Sequence, residues 1–112
     1  MKIYHNPRCR KSRETLALIN NEGIDPEIIL YLDTPPTKKE LKEILEILDI
    51  EPTELLRKTE SIYKENFKGK DLSNAKWIEA MVKFPKLIER PIVIKGKKAI
   101  IGRPPEKVKS LF

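Results

Sequence analysis

Among its 112 residues the chain has a single cysteine, Cys9. One thiol excludes an internal disulfide, a cysteine-built zinc site and a resolving thiol in the same chain, so any thiol chemistry must use an external partner. It also fits a reducing compartment, and a cytoplasmic protein is expected. Apolar runs are short. None approaches the roughly 18 residues of a membrane span, and residues 1–12 are too polar and too interrupted for a secretory signal. There is no repeat, low-complexity segment or linker, and no motif calls for a metal, a nucleotide or a membrane surface. At this length a single domain, 1–112, is expected.

Acidic residues are outnumbered, 17 Asp and Glu against 23 Lys and Arg, for a net charge of +6. The excess does not read as a nucleic-acid surface, because the lysines are interspersed with acids at helix-surface positions, where solvation explains them. A monomer is the default for a chain this charged. The six arginines are placed differently: Arg8, Arg10 and Arg13 surround Cys9, while Arg57, Arg90 and Arg103 stand beside apolar or Pro/Gly-rich sequence. A rigid guanidinium fork suits an oxyanion, which singles out the last three.

Lys2-Ile3-Tyr4 predicts a short strand and residues 10–22 a helix with Leu16, Ala17, Leu18 and Ile19 inward, stopped by Gly23. Glu27–Leu32 is a continuous apolar run that predicts a strand covered on both faces, parallel to the first, giving β-α-β. Thr37-Lys38-Lys39-Glu40 is a capping box ahead of Leu41, Ile44, Leu45 and Leu48 at helical spacing. Pro52 opens a short helix over Thr53–Lys58 that ends near Arg57, residues 59–70 carry no clear pattern, and Ser73 caps a helix over 74–83 with Trp77, Ile78, Met81 and Val82 as a core stripe. Pro91–Ile94 and Ala99–Ile101 predict a hairpin joined by Lys95–Lys98, and the Gly102–Pro105 break starts a terminal helix bearing Val108 and Leu111. The order is an α/β layout, β-α-β then β-β-α, with a mixed four-stranded sheet and a helical insertion at about 37–84 between the halves.

Cys9 falls where the first strand turns into the first helix. The free N–H groups and positive dipole end of a helix stabilise a thiolate or a bound oxyanion there, and His5, Arg8, Arg10 and Arg13 add possible cationic neighbours. Pro7 and the flanking arginines argue against burial as one more small apolar residue. His5 is either a hydrogen-bonded structural histidine or a catalytic group, and sequence leaves both open.

From His5-Asn6-Pro7-Arg8-Cys9-Arg10-Lys11-Ser12-Arg13 through Ile29-Leu30-Tyr31-Leu32, Leu55-Leu56-Arg57-Lys58 and Arg90-Pro91-Ile92-Val93 to Gly102-Arg103-Pro104, the chain resembles the glutaredoxin-linked arsenate reductase family. The resemblance spans the whole chain. It implies a thioredoxin-like fold, Cys9 as the nucleophile that forms a cysteine–arsenate adduct, and glutathione and then glutaredoxin as the partners that resolve it to arsenite. No bound cofactor is implied, and glutathione is a co-substrate. It also implies that Arg57, Arg90 and Arg103 bind the oxyanion and that His5 helps keep the cysteine ionised. Asn6 and Ser12 would shape the loop and hydrogen-bond near the sulfur, and Pro91 would be a cis-proline facing the cysteine. Arg10 departs from the pattern, since those reductases usually carry a small residue after the cysteine; its bulk and charge are expected to crowd or extend the anion site. Related alternatives are an Spx-type transcription regulator that binds RNA polymerase, although Ser12 replaces the second cysteine of its redox switch, and a glutathione-dependent thiol oxidoreductase of the same fold.

Overall fold

The computed structural model describes every residue from Met1 to Phe112. Its elements fall into two compact units, Met1–Thr34 with Arg90–Phe112, and Pro35–Glu89.

The first unit is built on four strands, β1 (Lys2–His5), β2 (Glu27–Leu30), β3 (Ile92–Lys95) and β4 (Lys98–Ile101), with helix α1 (Arg10–Asn21) between the first two. The sheet order is β2-β1-β3-β4; β1 and β2 run parallel, and the other two pairings are antiparallel. This is the expected mixed, thioredoxin-like sheet. Ile3 and Val93 lie directly opposite each other and so share a face. With Ile19 of α1 and Val108 and Leu111 of the C-terminal segment they form a core, each at most 4% exposed. Full burial of such a side chain contributes about 1.5–3 kcal/mol relative to exposure, which fixes α1, and with it the turn that precedes it, on the sheet.

Four expectations for this unit change. β2 is an edge strand, and its run is not covered on both faces: Ile28, Leu30 and Leu32 stay exposed while Tyr31 is buried. A continuous apolar run does not by itself distinguish a central strand from an edge one. On α1 the buried residues are Ser12, Thr15 and Ile19, whereas Ala17 is exposed and Leu16 and Leu18 are half-buried. The hairpin turn is shorter than expected, only Gly96-Lys97, with Gly96 at φ 60°, a conformation suited to the first position of a two-residue hairpin turn. The terminal helix is a 3-10 helix, Pro105–Leu111, which still buries Val108 and Leu111.

The second unit carries α2 (Lys38–Leu48), α3 (Ser61–Asn66) and α4 (Asn74–Lys83). The capping box forms as its sequence requires: the Glu40 N–H donates to Thr37 Oγ1 at 3.1 Å, and the Thr37 N–H donates to Glu40 Oε1 at 3.0 Å. Leu41, Ile44 and Leu45 of α2 and Trp77, Ile78, Ala80 and Met81 of α4 are buried. Phe67 adds ring contacts to Trp77 and Phe84 at centroid distances of 5.9 and 6.0 Å. The patternless stretch 59–70 contains α3, which buries no residue and so has no apolar face to read.

The segment expected as a helix up to Arg57 differs most. Only Pro52–Leu55 coil, as a 3-10 turn, after which the chain extends. Leu56 bridges Ile88, the Arg57 N–H donates to the Leu87 carbonyl at 2.7 Å, and the Glu89 N–H donates to the Leu55 carbonyl at 2.8 Å. This pairing satisfies the backbone beside two buried leucines, Leu55 and Leu56, and replaces helix hydrogen bonds that a short segment could not sustain.

Candidate functional site

The turn Asn6–Cys9 joins β1 to α1 and is set by its own residues. The Cys9 N–H donates to the Asn6 carbonyl at 3.0 Å, and the Arg8 N–H donates to Asn6 Oδ1 at 3.0 Å. The side-chain bond is an Asx turn, and Pro7 supplies the φ of the first central position. Cys9 then takes the N-cap position of α1, extended at φ −95° and ψ 120°, with its carbonyl accepting the Arg13 N–H at 3.0 Å. The sulfur thus stands where a capping oxygen usually does. It makes no cap hydrogen bond of ordinary geometry, but the Ser12 N–H is directed to favour its anion.

Burial pushes the Cys9 thiol up, and this is the largest single influence. The Ser12 N–H, the Arg90 guanidinium and then Arg103 together outweigh it and hold the thiol below its ordinary value. Arg103 Nη1 lies 3.9 Å from Cys9 Sγ and also donates to the Arg90 carbonyl at 3.1 Å, so a backbone acceptor fixes the guanidinium beside the sulfur. Arg90 is itself buried. The Arg90–Pro91 peptide is cis, as the resemblance implied, and so is Arg103–Pro104, for which nothing was expected.

His5, Asn6 and Ser12 meet around one hydroxyl. Ser12 Oγ accepts the Asn6 N–H at 3.0 Å and lies 2.6 Å from His5 Nδ1, all three residues being buried. His5 therefore bonds Ser12, not the cysteine. Burial, and secondarily the charge of Arg13, push the His5 imidazole below its ordinary value, toward the neutral form. The His5–Ser12 contact braces the turn, and the lowered titration of His5 weakens it as a source of positive charge for the sulfur.

Cys9, His5, Asn6, Ser12, Arg90, Pro91 and Arg103 all belong to the sheet unit, whereas Arg57 belongs to the helical unit. Its guanidinium is engaged there by Glu89, with Nη1 at 3.1 Å from Oε1, and by Glu60, with Nε at 3.3 Å from Oε1. Arg10 does not crowd the sulfur. Its side chain is 84% exposed and pairs with Glu14 one helical turn on, at 2.7 Å. Arg13 likewise turns back to donate to the Pro7 carbonyl at 2.9 Å, bracing the turn.

Two residues were not singled out from sequence. Gly102 is packed so closely that a Cβ there would lie 2.6 Å from Thr15 Oγ1 and 2.8 Å from Pro91 Cγ. Its N–H donates to the Pro91 carbonyl at 2.9 Å. This contact lets the chain pass α1 and deliver Arg103 to the sulfur. Thr15, fully buried, bonds the Lys11 carbonyl at 2.8 Å and forms the other wall. A glycine immediately before Arg103 was the available signal.

A monothiol at a helix N-cap with guanidinium groups beside it can attack an electrophilic centre and hold the anion that results. Residues 4–111 match the ArsC family. An arsenate reductase of Haemophilus influenzae is 50% identical over 108 residues, covering 95% of this chain and 93% of that protein. The uncharacterized protein YfgD of Escherichia coli is 53% identical over 110 residues, covering 96% of this chain and 92% of that protein. The solved structure of an arsenate reductase from Vibrio cholerae superposes with a TM-score of 0.94 at 48% identity, covering 99% of this chain and 96% of that one. By that match over nearly its whole length, and with an N-cap cysteine that has an arginine beside it, the chain belongs to the ArsC family.

Proposed function

We propose that the protein reduces arsenate to arsenite with glutathione and glutaredoxin as electron donors. The observation that carries this reading is the 3.9 Å approach of Arg103 Nη1 to a Cys9 sulfur held toward the thiolate. Arsenate near neutral pH is a tetrahedral dianion, so a thiolate approaching it meets like charge, and guanidinium groups must neutralise both. Arg90 and Arg103 supply two, and the resemblance implies Arg57 as a third.

In the first step the Cys9 thiolate attacks arsenic and forms an S–As bond, while an oxygen leaves as water after taking up protons; arsenic stays pentavalent. A glutathione thiolate then attacks the Cys9 sulfur. The S–As bond breaks with its electron pair remaining on arsenic, which becomes trivalent and leaves as arsenite, and a Cys9–glutathione disulfide forms. Glutaredoxin attacks the glutathione sulfur and releases the Cys9 thiolate. Two electrons pass from two thiols to arsenic, and because this chain has one cysteine, both thiols of the final disulfide are external. Ser12 and His5 keep the turn in place throughout.

The test is a coupled assay with arsenate, glutathione and glutaredoxin on the wild type and on Cys9→Ser, Arg57→Ala and Arg103→Ala. Arsenite production should vanish with Cys9→Ser and fall about 100-fold or more with each arginine variant, the scale of losing one donor to a developing anion. Arsenite formed at an undiminished rate by Cys9→Ser would rule the mechanism out. An inactive wild type that co-purifies with RNA polymerase would favour the regulator.

A further inference from the structure

Of the four large apolar side chains that stay exposed, three are Ile28, Leu30 and Leu32, at 47%, 40% and 37%. Ile28 and Leu30 are two residues apart on β2 and so share one face of the strand, and β2 ends the sheet, with a strand neighbour on one side only. Leu30 lies beside His5 in the parallel register. With Leu32 and Asp33 it forms one wall of a groove of about 340 Å³, and residues 5–8, the turn that leads to Cys9, form the other. A single exposed leucine needs no explanation, whereas three large apolar side chains gathered beside a reactive turn are the pattern of an interaction surface.

Charge on this part of the chain runs against the total. The protein carries a net +6, yet no lysine or arginine occurs from Glu14 to Thr37. Asp25 precedes β2 and Asp33 follows it, both exposed, and Glu27 is exposed at its first position beside Lys2 in the register. Arg8 is the cation on the groove, and it stands on the turn side. The β2 side therefore offers an apolar row with a carboxylate at each end, complementary to an apolar surface that carries lysine or arginine.

We propose that this surface docks the glutaredoxin that frees Cys9, through an apolar patch seated on Ile28, Leu30 and Leu32 and basic side chains facing Asp25 and Asp33. The proposal rests on the reading that glutaredoxin completes the cycle. In that step its thiolate attacks the glutathione sulfur of the Cys9–glutathione disulfide; Cys9 leaves as a thiolate, and a glutaredoxin–glutathione disulfide forms. A protein partner covers about 800 Å² of its target, so one that brings a sulfur to Cys9 also covers surface around the turn. The large apolar side chains exposed along that turn are those of β2 and the residues just after it.

The Cys9–glutathione form of the protein is prepared, and its reduction is followed with glutaredoxin and, separately, with dithiothreitol, which needs no docking surface. Leu30→Ser with Leu32→Ser should raise the KM of glutaredoxin for this form about tenfold, the scale of losing a well-packed interface side chain, with kcat and the dithiothreitol rate unchanged. Asp25→Lys with Asp33→Lys should raise KM about three- to tenfold at low salt and by less at about 0.5 M salt. If the leucine variant does not fold, Ile28→Ser takes its place. Unchanged KM in the apolar variant overturns the proposal, and so does an equal loss with dithiothreitol, which would mean that the disulfide itself had moved. Slower formation of the disulfide from oxidised glutathione would assign the groove to glutathione, and a wild-type dimer split by the leucine variant would assign the face to a second copy; either result overturns it. Failure of the underlying reading looks different: glutaredoxin then leaves the wild-type disulfide intact while dithiothreitol reduces it.

Discussion

Replacing Arg103 with alanine removes the guanidinium whose Nη1 lies 3.9 Å from Cys9 Sγ. At that distance a unit charge attracts a thiolate by about 1 kcal/mol in bulk water and about 4 kcal/mol at the effective dielectric of a protein surface. The sulfur is partly exposed and salt screens it, so the lower part of that range applies, about 1–2 kcal/mol. This corresponds to a thiolate population smaller by about five- to thirtyfold at a pH below the thiol midpoint. Arg90 and the Ser12 N–H remain, so the thiol should not return fully to its ordinary value. The assay is alkylation by iodoacetamide as a function of pH, chosen because the reagent is neutral and feels no field of its own. Arg103→Ala should shift the whole profile to higher pH, and Arg103→Lys should recover part of the shift by restoring charge without the fork. An Arg103→Ala profile that overlays the wild type would mean that the 3.9 Å contact has no electrostatic weight, and the account of thiol activation given above would be wrong.

Gly102→Ala places a methyl group within 2.8 Å of Thr15 and Pro91 atoms and should cost about 1–3 kcal/mol by overpacking, read as a fall of several degrees in the thermal midpoint. Because Arg103 follows directly, the surviving folded protein should also alkylate more slowly; unchanged stability and rate would show that the neighbours yield freely. His5 titrates lower in the folded chain than its ordinary 6.5, through burial and then Arg13, so the unfolded chain takes up the proton first. Its contribution to stability is complete above pH 6.5 and is lost as the pH falls through the folded value. Urea unfolding at pH 7.5 and pH 5 should therefore show wild type losing more stability on acidification than His5→Gln, and an equal loss in both would remove the argument that His5 is neutral.

The opening strand, the turn and α1 were legible because their signals are local: Asn6-Pro7 for the turn, Gly23 at φ 77° past the helix end, and a Thr-x-x-Glu box for α2. What depends on distant partners was not. Pro52 is a sound helix-start signal, yet Leu55–Arg57 extends because Leu87–Glu89 lies alongside it, and no pattern within 52–58 records that neighbour. The inward face of α1 was misread for a related reason. Ser12 and Thr15 are buried through hydrogen bonds to His5, Asn6 and Lys11, so a search for apolar spacing passed over the helical face that the site uses. The three distant arginines stood out by their apolar or Pro/Gly-rich neighbours, but only the resemblance joined them to Cys9, since nothing in their spacing relates one to another or to the cysteine.

Arg10 marks the difference between proximity in sequence and effect on the sulfur. It follows the cysteine directly and looked like the residue most able to alter the anion site. Yet it sits on the first turn of α1 with Glu14 four residues later, the spacing at which a helix brings opposite charges together, and its side chain lies along the outside of the helix. That pairing could have been read from sequence. Arg103, far along the chain, acts on the sulfur because a glycine with no room for a side chain and the Arg90 carbonyl fix where its guanidinium lies. A charge influences a thiolate when the backbone holds it close and keeps it from relaxing into solvent. In this fold that condition is met by residues at the ends of β3 and β4, and it is not met by Arg10 on the helix that carries the cysteine.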